Sequence, residues 1–133
     1  ELVHLKDEPM KMAKIESAVR IVLDFYRAFN QHDADEMIKL ISEDCTFEHA
    51  SPAPDGSLYC GKENLYAFWQ DVFQNTITPQ IEIEDIFGLG LHCVARWKIK
   101  WVDSTGQQNH QRGIHLFLVK NSLICSIQAY VKH

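Results

Sequence analysis

Cys93-Val94-Ala95-Arg96-Trp97-Lys98-Ile99-Lys100-Trp101 is the stretch whose reading decides the fold. Cys93, Ala95, Trp97, Ile99 and Trp101 alternate with Val94, Arg96, Lys98 and Lys100, which predicts a half-buried strand. The same period of two extends outward on both sides. Upstream, Ile81 and Ile83 alternate with Glu82 and Glu84, and Gly88-Leu89-Gly90 reads as a turn between strands. Downstream, Asp103 to Gly106 reads as a hairpin turn. Arg112 to Val119 is apolar on both faces, the pattern of a central strand or of one covered by a partner subunit. Lys120-Asn121-Ser122 then turns the chain into a last strand, Leu123 to Lys132.

Before Ile77 the period is that of helices. Ile15, Val19, Val22, Phe25, Tyr26 and Phe29 recur every three or four residues and predict a helix from about Met10 to Asn30. Pro9 suits its first turn and Glu8 its positive end. Asp33 with Glu36 reads as a capping box that opens a second helix through Met37, Leu40 and Ile41. Cys45 to His49 is a short strand with Cys45, Phe47 and His49 on one face. Ser51 to Tyr59, with Pro52, Pro54 and Asp55-Gly56, reads as a loop. A third helix over Lys62 to about Gln74 carries the stripe Leu65, Phe68, Trp69, Val72 and Phe73. Helices first and an antiparallel meander last make an α+β pattern. Residues 1–133 read as one domain, with about 1–9 as a flexible lead-in.

Composition narrows the partners. Thirteen basic and eighteen acidic residues leave a net charge of −5, and no segment gathers lysine or arginine. Neither nucleic acid nor a membrane surface is an expected partner. Cys45, Cys60, Cys93 and Cys125 lack the tight spacing of a zinc or redox motif, so no metal is expected. Reduced thiols, no twenty-residue apolar span and no export signal suggest a cytoplasmic protein. Gly88-Leu89-Gly90 lacks the helix that a dinucleotide loop needs, and no serine stands in a nucleophile elbow, so no cofactor is expected.

Three stretches carry a family resemblance. They are Phe29-Asn30-Gln31-His32-Asp33 with Ile41 to Glu48 after it, Gly61-Lys62-Glu63-Asn64, and Arg112-Gly113 leading to Gln128-Ala129-Tyr130. In order and spacing they resemble the SnoaL-like and steroid Δ-isomerase-like branch of the nuclear transport factor 2-like superfamily. The resemblance spans about Ala13 to Lys132. It implies a cone-shaped fold in which three N-terminal helices pack on a strongly curved, mainly antiparallel sheet that encloses a cavity. It also implies a homodimer through the outer sheet face, where Ile114, Leu116 and Leu118 would otherwise be exposed. Phe25, Phe29, Phe47, Trp69, Trp97, Phe117 and Val131 would line or support the cavity. The expected occupant is a small hydrophobic or polycyclic ligand.

The resemblance also locates the chemistry. Ketosteroid isomerase uses a carboxylate base, with a tyrosine and a protonated aspartic acid as oxyanion hole. Here the base position falls on His49 and the acid on His115, while the tyrosine falls on Phe25. The supporting tyrosines fall on Ile41 and Trp69. Tyr26 is adjacent to Phe25, but one residue turns the helix by about 100°, so it is expected to point elsewhere. Steroid isomerase activity itself is therefore not expected. His49 and His115 nevertheless share the inward parity of their strands, and a neutral imidazole can take a proton and return it. Dehydratases of this superfamily related to scytalone dehydratase use a histidine pair, without positional equivalence being implied. The two readings are an acid–base isomerase, cyclase or dehydratase with His49 as base and His115 as polar partner, and a non-catalytic ligand-binding or dimerisation module. Glu48, His92 and His110 have outward parity. Gln111 and Gln128 are candidates to orient a ligand, and Arg112 is expected to point outward toward an acidic loop.

Overall fold

The alternation is realised as a six-stranded sheet, in a computed structural model that describes residues 9–133, with side chains from residue 17 onward. The lead-in expected over 1–9 (apart from Pro9), Glu8 and the Ile15 side chain lie outside the described residues. The described elements are α1 (Pro9–Asn30), α2 (Ala34–Ile38), β1 (Ile41–His49), β2 (Ser57–Cys60), α3 (Lys62–Asn75), β3 (Ile77–Leu89), β4 (His92–Val102), β5 (Gln108–Lys120) and β6 (Leu123–Lys132). The sheet order is β2-β1-β6-β5-β4-β3. β3 to β6 form the antiparallel meander, and β1 joins it parallel to β6. The sheet curls without closing, and the three helices pack against it.

Two of the register shifts in the sheet explain why simple alternation fails in places. Ile83 pairs with Trp97 but Asp85 pairs with Arg96, so Glu84 is an extra residue in β3. The extra residue returns Ile86 to the same face as Ile83, and both pack on the core. In the same way Leu118 pairs with Ser126 but Val119 pairs with Ile124, which leaves Cys125 unpaired. Ile124 and Ile127 then face inward together, and both are buried. A bulge bends its strand and increases the local twist, as a sheet wrapped over helices requires.

The second helix is shorter than its capping signal suggests. It ends at Ile38, and Ile41 instead starts β1 opposite Ile124. Only half of the capping box forms: Asp33 Oδ1 accepts from the Glu36 backbone N–H at 3.1 Å. The Glu36 carboxylate turns away to Lys39 Nζ at 2.6 Å. β2 lies in the segment expected to be loop, because a four-residue edge strand is too short to show a period. Gly56 leads into it with φ +77°, and a Cβ there would overlap the His49 carbonyl oxygen. Only glycine lets the chain return this close to the end of β1.

Asn30 ties the end of α1 to the sheet. Its Nδ2 donates to the Ile81 carbonyl at 2.9 Å, and its Oδ1 accepts from the Ile81 N–H at 2.7 Å. His32, with φ 57°, reaches the Pro79 carbonyl through Nε2 at 2.8 Å. This gives the Phe29-to-Asp33 stretch a structural purpose: it ends the helix and fastens β3 beside it. On the outer sheet face Ile114 and Tyr130 are 41% and 55% exposed. Leu116 and Leu118, expected to be open as well, are only partly exposed. Arg112 does point outward, but its Nε meets Glu84 Oε2 at 3.3 Å on β3, across β4, rather than in a loop.

Candidate functional site

Between α1, α3 and the inner sheet face lies a mostly apolar hollow of about 190 Å³. Phe25, Phe29, Phe47, Trp69, Trp97 and Val131 all line it, and so do His49 and His115. Phe117 does not reach it. Its fully buried ring lies behind the wall, with its centroid 6.1 Å from Phe25 and 5.7 Å from both Tyr26 and His115. It supports the wall instead of lining it, because the His115 and Tyr26 rings stand in front of it.

Strand parity places the two imidazoles. His49 ends β1 on the face of Phe47, with its ring 5.6 Å from Phe47 and 5.1 Å from Phe68. No side-chain hydrogen bond to His49 is present among the described residues. Burial pushes its pKa below the ordinary imidazole value. His115 sits mid-β5, with its ring 4.8 Å from Trp97 and 5.8 Å from Tyr26. Burial first, and then the neighbouring His49, push its pKa down to about 3. Both imidazoles are therefore neutral at neutral pH. His115 retains some accessible surface because it borders the hollow, although protein surrounds it.

Tyr26 corrects the sequence reading. It was expected to turn away from the site, yet it lines the hollow, and its hydroxyl lies 2.7 Å from His115 Nδ1. The helix face that meets the sheet is more than 100° wide, so two successive residues fit within it. Phe25 and Tyr26 are 5% and 4% exposed. The signal was present in the sequence, since Tyr26 belongs to the apolar stripe itself. Burial pushes the Tyr26 pKa well above the ordinary phenol value, with nearby Cys93 adding to the shift. The hydroxyl therefore keeps its proton.

The remaining polar groups sort clearly. Gln111 lines the hollow, whereas Gln128 does not. His92 and His110 are exposed and Glu48 is partly buried; none of the three borders the hollow. Trp97 Nε1 is sealed and has no hydrogen-bond partner among the described residues, so the indole offers ring surface to the hollow rather than a donor. Among the described residues, no group of three or more His, Cys, Asp or Glu is arranged to hold a metal ion. No described helix is long and apolar enough to cross a membrane.

Comparison with known proteins agrees with this architecture. Residues 22–127 match the profile of the SnoaL-like domain. An NTF2-like protein of unknown function from Mesorhizobium loti superposes with a TM-score of 0.76 at 28% identity, covering 90% of this chain and 94% of that one. A putative SnoaL-like polyketide cyclase from Jannaschia sp. CCS1 gives 0.77 at 13% identity, covering 89% and 87%. An LEH-like epoxide hydrolase from M. tuberculosis gives 0.77 at 15% identity, covering 89% and 84%. No curated protein matches the sequence.

Proposed function

The chain belongs to the SnoaL-like domain family, and because that fold hosts unrelated chemistries, we propose a function from the site itself. The hollow takes a small apolar molecule, with His49 as proton acceptor and His115 as its polar partner. One observation carries this reading: two imidazoles kept neutral by burial border the same apolar hollow. A neutral His49 can remove a proton beside a carbonyl, and an N–H of His115 can meet the charge that develops on the oxygen. His49 then returns the proton elsewhere on the molecule. Isomerisation, aldol-type cyclisation and dehydration all use these steps.

Size narrows the occupant. Drug-sized ligands occupy roughly 300–1,000 Å³, while a cavity of about 150 Å³ holds benzene. Of the small hydrophobic or polycyclic ligands expected from the resemblance, a hollow of about 190 Å³ favours a small monocyclic or short-chain molecule. Cyclohexanone in deuterium oxide is a suitable probe, with loss of its α-protons followed by proton NMR. Replacing His49 by Ala should slow the protein-catalysed exchange about 10²- to 10⁴-fold. Equal exchange by the His49→Ala protein would sink the acid–base reading.

Among the described residues no side chain hydrogen-bonds to His49 to orient it, which favours a second reading, in which the hollow binds without turnover. Binding of cyclohexanone with no catalysed exchange would support that alternative. We also propose that a second copy covers the outer face around Ile114 and Tyr130, where Arg96, Arg112 and Glu84 border a shallow groove. Sedimentation at twice the chain mass is the expected result, and a monomer at micromolar concentration would refute it. The four free thiols support a reducing, cytoplasmic setting.

A further inference from the structure

We propose that Tyr26 is a positioning residue: its hydroxyl donates to His115 Nδ1 and fixes the imidazole with its proton on Nε2, so that the hollow presents a hydrogen-bond donor suited to a small apolar ketone. The ligand class rests on the binding reading above, whereas the tautomer does not. The oxygen–nitrogen distance is 2.7 Å, which is short for a neutral pair. The distance alone does not say which atom donates.

The surroundings settle the direction. A tyrosine hydroxyl has one proton to place. If His115 donated from Nδ1, that proton would need another acceptor. Among the described residues, the Tyr26 hydroxyl has no hydrogen-bond partner besides Nδ1. Either arrangement leaves one proton without a protein acceptor. Donation from Nδ1, however, would strand the proton of a side chain only 4% exposed. It would also make the weakly basic phenol oxygen the acceptor in place of the more basic imidazole nitrogen, so the hydroxyl donates.

Nδ1 is thereby occupied as an acceptor, and the proton of the neutral ring resides on Nε2. Nε2 makes no hydrogen bond among the described residues. It is also not fully buried, because Trp97 Nε1 alone among the described side-chain nitrogens and oxygens is both buried and unpartnered. Since His115 borders the hollow, its free N–H meets whatever occupies that space. The two rings are also nearly parallel, at an interplanar angle of 23° with centroids 5.8 Å apart, as an end-on hydrogen bond between them requires. The divided roles of the two histidines then have a structural cause. His115 has a fixed tautomer and is a donor, and His49, with no side-chain partner among the described residues, is the acceptor.

Long-range proton–nitrogen NMR of the ¹⁵N-labelled chain at neutral pH tests the tautomer without any ligand. The His115 pattern should show a bare Nδ1 and a protonated Nε2. In Tyr26→Phe the Nδ1 resonance should move and the second tautomer should gain population. A proton on Nδ1 in the native chain would overturn the proposal, and that spectrum decides even if the variant folds poorly.

The ligand class is tested with cyclohexanone and methylenecyclohexane, which share a shape but differ in the acceptor oxygen. Relative to the native chain, His115→Leu should lower the ratio of ketone to alkene affinity about fivefold to tenfold. Any change in hollow volume affects both probes and cancels in the ratio. An unchanged ratio would overturn the donor assignment. Entry of neither probe would overturn the ligand-binding reading, while the nitrogen spectrum would still decide the tautomer.

Discussion

Gly113→Ala is expected to destabilise the protein by about 2–4 kcal/mol and lower its melting temperature by roughly 10 °C. Strand propensity alone predicts the opposite, since glycine inside a strand costs about 0.5–1 kcal/mol relative to alanine. The decisive fact is what stands above this glycine. Gly113 pairs with Trp97 across β4 and β5, and the benzo ring of Trp97 lies over it. An added Cβ would lie 2.6 Å from Trp97 Cζ2 and 2.8 Å from Cη2, and would overlap the Tyr130 carbonyl oxygen. The indole can yield only by moving toward the hollow and the His115 ring, while the Tyr130 main chain is held in the sheet. Combining Gly113→Ala with Trp97→Leu should therefore cost less than the sum of the two single changes. Urea unfolding of the four proteins measures this. Native-like stability in Gly113→Ala would show that the indole does not fill the missing side chain's place.

Acid should weaken the protein well before its carboxylates titrate. The folded-state pKa of His115 is about 3, against an ordinary 6.5. The unfolded chain therefore binds a proton below pH 6.5 that the folded chain refuses. Stability is fully present above pH 6.5 and is lost progressively as pH falls toward 3. Between pH 7 and pH 5 the loss is about 2 kcal/mol from this residue. His49, lowered by burial, adds to it with the same sign. Glu82, held low by Lys100, and Asp103, lowered to about 2 by its turn hydrogen bonds, act only at more acidic pH. The interval from 4.5 to 6.5 thus isolates the imidazoles. Protonation would also place a hydrogen on Nδ1 and break the bond that Tyr26 donates. His115→Gln retains an acceptor for Tyr26 and cannot titrate, so its urea midpoint should change much less between pH 7 and pH 5. An equal loss in both proteins would remove His115 as the source.

The fold was legible because its meander alternates strictly around Trp97, and the helices before it keep a three-to-four period. What escaped was local. The parity changes at Glu84 and Cys125 come from bulges, which pairing reveals and a single strand does not. β2 was hidden in a proline-rich segment whose pairing depends on β1. His49 and His115 could be placed inward because neither lies beyond a bulge from its neighbours on the inner face. Tyr26 was lost through treating a helix face as one residue wide, although its own apolar stripe included it. Phe117 shares the parity of His115, but parity gives a face and not a depth. Volume is also invisible to periodicity, so the size of the hollow was not legible in the sequence.

The most direct test of the central claim, that two neutral imidazoles border one apolar hollow, is an NMR titration of the histidine side chains from pH 8 to pH 3. His115 should stay neutral throughout the range in which the protein is folded, down to about pH 3, and His49 should charge below the ordinary value of 6.5. Charging of His115 near pH 6.5, as in a solvated imidazole, would contradict the account.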